Sequence, residues 1–369
     1  MDQSNTKLNR DRSMTSFSLA RGLGMLAIVA GHSMADFMRV HPTESQAASV
    51  GLFSNWGSVL GGGMLAMFFL VSGCGFFARS PKRCMKVQKK LLLWPYIMTG
   101  GMVLLTKVLL AIVERRSFAE HGGELVLTYL LGFNAKGGAT LFGLPIDSIS
   151  ILWFLLALFN GWNLYNLICR LKSRRWQQVL VCASVLLGWA LTCITKIWPF
   201  ALPMSLIAVG YLAAGAWIRE RNYLEGKAPA VLWIICIGLA IICLAFGNVN
   251  IMDCIWALGP LDVAGSFAIG FTLMKLCFGL ENLIPANPVS GLCEKAGFYS
   301  IWIVCLHAYE KIIFPWYRLA LAWPLGIASF TLVCTGMRLV LIYVLYKLSS
   351  PWIHALKDFL IRRESRAGR

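Results

Sequence analysis

Ten times along this chain the sequence stays apolar for about twenty residues before charge returns. At about 1.5 Å of rise per helical residue, such a run covers a hydrocarbon core of about 30 Å. A water-soluble fold would divide the same residues into amphipathic stripes. The charged share is correspondingly low, 14% of 369 residues, against about 25% in a typical soluble domain. The expected fold is an all-α integral membrane protein of about ten transmembrane helices. They fall roughly at 17–38, 57–78, 91–113, 149–169, 177–196, 198–218, 228–246, 257–280, 296–316 and 320–347. A basic tail, 1–16, precedes the membrane domain, 17–348, and a second basic tail, 349–369, follows it. Too little chain lies outside the runs for a soluble catalytic domain, so any chemistry belongs within the helices or at their mouths.

The formal charge of +17 does not indicate nucleic acid. Lys and Arg collect at the ends of the apolar runs and not on one aromatic-bearing soluble face. With the N-terminus inside and an even number of spans, 24 basic residues fall in inner segments and 7 in outer ones. Three more, Lys107, Lys275 and Arg338, lie within spans. That asymmetry places both termini in the cytoplasm. The first run shows no small-residue cleavage site and reads as a retained span. The longest outer loop, 114–148, is polar, and within it 125–133 (VLTYLLGFN) is too short to cross, so it lies at the interface or re-enters. The stretch 351–369 reads as a basic amphipathic helix on the inner leaflet, where anionic membrane lipids attract it. Twelve cysteines occur without a CxxC, so neither a metal site nor a redox pair is signalled. Cys182, Cys193, Cys236, Cys243 and Cys305 read as small buried hydrophobes.

Ionisable residues inside spans are costly and are functional candidates by default. The first span, FSLARGLGMLAIVAGHSMADFM, holds Arg21, His32 and Asp36. Arg21 and His32 differ by eleven positions, three helical turns plus about 20°, which puts them on one face about 16 Å apart. With Arg21 at the cytoplasmic interface, His32 reaches mid-depth, and Asp36 one turn on is placed to orient its ring. The bland reading makes Arg21 a snorkelling anchor and His32 a helix-joining hydrogen bonder. His307 also falls near mid-depth, in the ninth run, with Glu310 and Lys311 at i+3 and i+4. His41, His121 and His354 fall in loops or the tail and are expected to be solvated. In the second span, Ser72, Gly73, Cys74 and Gly75 permit close backbone approach, to a helix or to a ligand. Arg79, Lys82 and Arg83 follow on the cytoplasmic side. With Arg21 they form a group suited to a phosphate-bearing substrate, or an ordinary positive-inside loop.

These segments together resemble the acyltransferase-3 family of polytopic bacterial acyltransferases that modify surface sugars. RGLGMLAIVAGHS resembles its first-span Arg and His separated by ten residues, and MFFLVSGCGFF its FFFLSGF-type second span. KVQKKLLLWPY is similar to the basic lead-in to its third span, ILWFLLALF to its LWFL segment, and YSIWIVCLHAY to its late SxxIYLLH-type span. The five segments spread over residues 21–309. The resemblance implies an O-acyltransferase of the bacterial inner membrane that moves an acyl group, commonly acetyl, from cytoplasmic acyl-CoA to a hydroxyl of a surface sugar or glycolipid, with no cofactor held permanently. It implies His32 as the catalytic histidine, Arg21 as the motif arginine, His307 as the late-span histidine and Arg79 with Arg83 as the basic cluster. Cys74 stands where the family usually has an aromatic, and Arg79 and Arg83 are spaced more widely than the family's basic pair. Acyl transfer to an alcohol needs a general base, and imidazole titrates near neutrality, which suits His32 to that role. A transporter or flippase for a sugar- or lipid-linked substrate would use the same intramembrane polar residues, and a non-catalytic sensor would use the same fold.

Overall fold

Eight helices among the described residues are long and apolar enough to cross a membrane, and the chain is a multi-pass helical membrane protein. The computed structural model describes residues 2–42, 56–113, 126–141, 144–195, 197–283 and 288–367. Helix α1 (Asp2–Val40) is followed by α2 (Trp56–Cys74), α3 (Pro81–Gln88), a π-helical turn (Lys89–Leu93) and α4 (Trp94–Val113). A β1–β2 hairpin (Asn134–Leu141, Leu144–Ser148) leads to α5 (Trp153–Ile168), α6 (Arg174–Ile194), α7 (Leu202–Glu220) and α8 (Ala230–Phe246). A two-residue hairpin, β3 (Val249–Asn250) with β4 (Ile255–Trp256), precedes α9 (Pro260–Leu283), α10 (Pro288–Phe298), α11 (Ser300–Ile313), α12 (Trp316–Leu321) and α13 (Ile327–Ala367).

Two of the ten expected spans are shorter than a crossing helix. The seventh is α8, 17 residues, or about 25 Å, and it stops at extended Gly247. The ninth is cut twice. Tyr299 sits near φ −93°, ψ 14° between α10 and α11, and Phe314, ahead of Pro315, is extended at φ −120°, ψ 124°. A residue before proline is driven out of the helical region by the ring's Cδ, so α11 ends there. The tenth span was expected from 320, but α13 begins only at Ile327, past Pro324.

Association of helices in lipid gains little from hydrophobicity, because the tails are as apolar as the side chains; close packing has to hold them. Here α2, α5, α7 and α9 form the interior, supplying Phe69, Leu70, Leu155, Ile207 and Phe271, all fully buried. Gly73 and Gly215 let α2 and α7 touch backbone to backbone. A Cβ at Gly73 would lie 2.3 Å from the Leu212 carbonyl oxygen, and one at Gly215 2.2 Å from that of Leu70. Ser72 accepts from Trp162 Nε1 at 3.1 Å, and Cys74 Sγ points to the Gly215 oxygen at 3.3 Å. The small-residue cluster of the second span therefore serves helix contact.

By contrast α4, α6 and α13 turn Leu105, Ile194 and Leu332 outward, an apolar surface for acyl chains. All twelve cysteines are free; Cys182 and Cys193 lie on the outward side of α6, whereas Cys236, Cys243 and Cys305 are buried as expected. The 126–131 turn packs against the middle of the 81–113 run, where Tyr96 donates to the Tyr129 oxygen at 2.5 Å. The backbone of 352–367 continues α13 as helix.

Candidate active site in the helical bundle

Three helices bring one polar cluster together. Helix α1 presents His32 and Asp36 one turn apart, α11 presents His307, Glu310 and Lys311, and α13 presents Arg338 midway along its apolar stretch. Residues three apart on a helix share a face, so Glu310 reaches back to His307, and its Oε1 lies 2.7 Å from Nδ1. Glu310 Oε1 also accepts from Arg338 Nη1 at 3.0 Å, and Oε2 accepts from Trp316 Nε1. Arg338 Nη2 donates to Asp36 Oδ2, its Nε faces Cys334 Sγ at 3.5 Å, and its guanidinium lies 4.5 Å over the Trp316 ring. The His32 and His307 rings approach to 5.2 Å between centroids. Lys311 Nζ lies 3.4 Å from His32 Nδ1.

Arg338, Glu310 and His307 are fully buried, and Asp36 keeps a 20% exposed side chain. Isolated charges at this depth would be prohibitive, but two carboxylates, Asp36 and Glu310, balance two cations, Arg338 and Lys311. An apolar layer of Phe37, Trp316, Phe330 and Cys334 closes around the pair on one side. With all its bonds made, such a network is rigid; with one partner gone it would leave a buried charge uncompensated.

A carboxylate only accepts hydrogen bonds. His307 Nδ1 must therefore carry the proton it gives to Glu310, and in the neutral ring the lone pair falls on Nε2. That Nε2 is buried and has no hydrogen-bond partner among the described residues. An ammonium only donates, so Lys311 on Nδ1 of His32 leaves the His32 proton on Nε2. The two rings thus offer an acceptor and a donor side by side.

Some expectations need correction. Asp36 was placed to orient His32; its carboxylate instead accepts from Arg338, and the ring nitrogen of His32 faces Lys311. Arg338 reaches across from a helix 302 positions away, a distance at which helical spacing says nothing. His41 is not simply solvated: its ring stacks on Phe37 at 4.3 Å and its Nε2 lies 3.1 Å from the Ala320 oxygen. His121, like 114–125 as a whole, lies outside the described residues. Arg338 and Trp316 were not singled out as site residues, although an arginine within an apolar run was itself the signal. Lys275, the other such cation with a defined role, donates to the Leu224 and Gly226 oxygens at 2.5 and 2.9 Å and closes the loop after α7.

Three turns back from His32 along α1, Arg21 lies within electrostatic reach of Cys74, where α2 ends. The chain from there into α3 is pinned by Asn166, which accepts from the Arg79 amide at 2.8 Å and donates to its carbonyl at 3.0 Å. Lys82 and Arg83 are exposed on the first turn of α3, and Arg79 is half-buried. Among the described residues none of Arg21, Arg79, Lys82 and Arg83 has a carboxylate partner within ion-pair distance. A fifth cation is spoken for: Arg219 donates to the Cys74 oxygen at 3.0 Å and to the Phe76 oxygen, and stacks 4.3 Å over Phe77. It caps the carbonyl end of α2, where a cation is favoured. No protein-family model, curated protein or solved structure matches this chain.

Proposed function

We propose that this protein is a membrane O-acyltransferase of the acyltransferase-3 type. In this reading it moves an acyl group, most simply acetyl, from cytoplasmic acyl-CoA to a hydroxyl of a surface sugar or glycolipid. The observation that carries the reading is the pairing of His32 and His307 at 5.2 Å inside the bundle, with the cation Arg21 three turns back from His32 on α1. Attack by an alcohol needs a base for its proton and a donor for the carbonyl oxygen, and two imidazoles with opposite tautomers supply both. Arg21, Arg79, Lys82 and Arg83, which have no acidic partner within ion-pair distance among the described residues, provide a site for the phosphates of CoA. About 16 Å along α1 then separates phosphate from reacting carbonyl, a gap for the thioester arm to thread. Ten crossings, the seventh and ninth made by the shorter α8 and α11, keep both termini in the cytoplasm of a bacterial inner membrane, as the basic residues favour.

Deleting the gene and profiling acyl esters on surface glycans by mass spectrometry tests this. We expect the esters to disappear, to return with the wild-type gene and to stay absent with His32→Ala. Unchanged acylation in the deletion strain would refute the reading.

A further inference from the structure

Two histidines lie ring against ring, and their neighbours differ in kind. His307 leans on a carboxylate that is itself fixed by Arg338 and Trp316. His32 meets an ammonium. A histidine whose Nδ1–H is held by a carboxylate has its lone pair aimed from Nε2, its imidazolium form is stabilised by the negative charge behind it, and its ring cannot swivel. Those are the requirements of a general base. A histidine with a cation on Nδ1 has none of that support. It has an N–H to give, which is what a carbonyl oxygen gathering negative charge requires.

We infer that His307, oriented by Glu310, is the general base for the acceptor hydroxyl, and that His32 is the hydrogen-bond donor to the thioester carbonyl oxygen. This rests on the acyl-transfer reading and reverses the role the first-span motif implies for His32. In the step, the acceptor oxygen bonds to the thioester carbonyl carbon as its proton passes to His307 Nε2. The carbonyl oxygen, now negative, is held by His32 Nε2–H. The carbon–sulfur bond then breaks, and the proton on His307 passes to the departing CoA sulfur. Ester and free thiol leave, and the enzyme returns to its starting state. Glu310 touches no reacting atom; it is a positioning residue that acts through His307. Arg338, in turn, holds Glu310 and Asp36 at once.

Glutamine separates the two roles, because its amide can donate a hydrogen bond but cannot take a proton at neutral pH. Full-length variants purified in detergent are assayed for CoA release from acetyl-CoA in the presence of membranes from the deletion strain as the source of acceptor. We expect His307→Gln to lose about 1,000-fold in kcat, with KM for acetyl-CoA unchanged, and His32→Gln to stay within about 10-fold of wild type. His32→Ala, which has no donor, loses about 100-fold or more. Glu310→Asp keeps the buried negative charge and draws back by one methylene the oxygen that serves both His307 and Arg338. It is expected to melt lower than the wild type while staying folded in the assay, and to lose about 10-fold or more in kcat with KM for acetyl-CoA unchanged, whereas a carboxylate needed only to balance Arg338 would lower melting and leave kcat of the folded protein unchanged. His307→Gln turning over at the wild-type rate, or His32→Gln as inactive as His32→Ala beside an active His307→Gln, would overturn the assignment and leave acyl transfer standing. A wild-type protein that releases no CoA under these conditions would overturn acyl transfer itself, and the assignment with it.

Discussion

Two groups of cations sit on the same bundle and are treated in opposite ways. Arg338 and Lys311 are drawn into the interior and balanced there by Asp36 and Glu310. Arg21, three turns back from His32 along α1, and Arg79, Lys82 and Arg83, beyond the end of α2, have no acidic partner within ion-pair distance among the described residues. The interior pair shows that the fold supplies carboxylates where it needs a cation neutralised. Leaving four others open is then a property of that end, and an anion from solution is the natural complement. The same contrast separates a site that must be dry and fixed for chemistry from one whose cations run from half-buried Arg21 and Arg79 to exposed Lys82 and Arg83.

The contrast can be broken at either end. The largest effect expected is on chemistry: His307→Gln should lower kcat about 1,000-fold and His32→Ala about 100-fold or more, both with CoA affinity unchanged, as read by turnover beside equilibrium binding. If turnover and affinity fall together, the two ends do not have separate tasks. Next in size is stability. Arg338→Met leaves the buried Glu310 and the partly exposed Asp36 without their shared cation and should cost about 3–5 kcal/mol, seen as a lower melting temperature in detergent. Melting like the wild type would mean that the carboxylates find another partner. At the open end, Arg21→Ala should weaken CoA binding by about 10- to 100-fold, the range of a charged hydrogen bond, with melting unchanged. Wild-type affinity there would remove Arg21 from the phosphate site. The smallest effect belongs to Lys82→Ala and Arg83→Ala, each expected to change affinity less than about five-fold. That change should fade as salt is raised; one that persists in high salt would mean a buried contact in place of an exposed one.

The sequence revealed one of these ends better than the other. Run length alone placed most of the helices, because a backbone in lipid has to satisfy its own hydrogen bonds over the whole thickness. Errors came where proline acts, at Phe314 before Pro315 and around Pro324 ahead of Ile327, whereas α8 ends at Phe246, where the seventh run was expected to end. His32, His307 and the basic residues after α2 were legible as residues, since a polar group in an apolar run stands out. Their partnerships were not. Asp36 lies one turn from His32 and seemed its natural companion by spacing, yet Arg338 claims it from 302 positions away. Lys311 reaches His32 across 279 positions. Helical periodicity reports neighbours on one helix, and this site is built from contacts between three. The His307–Glu310 contact, at i+3, was within reach of periodicity because both groups share α11.

The most direct test uses inside-out membrane vesicles that carry the protein and are given acetyl-CoA labelled in the acetyl group. If the histidine pair joins a cytoplasmic donor to an acceptor in or beyond the membrane, label should enter a base-labile ester while one CoA thiol is released for each ester formed. His307→Gln should abolish both together. Thiol release without ester, or equal labelling in vesicles that lack the protein, would contradict it.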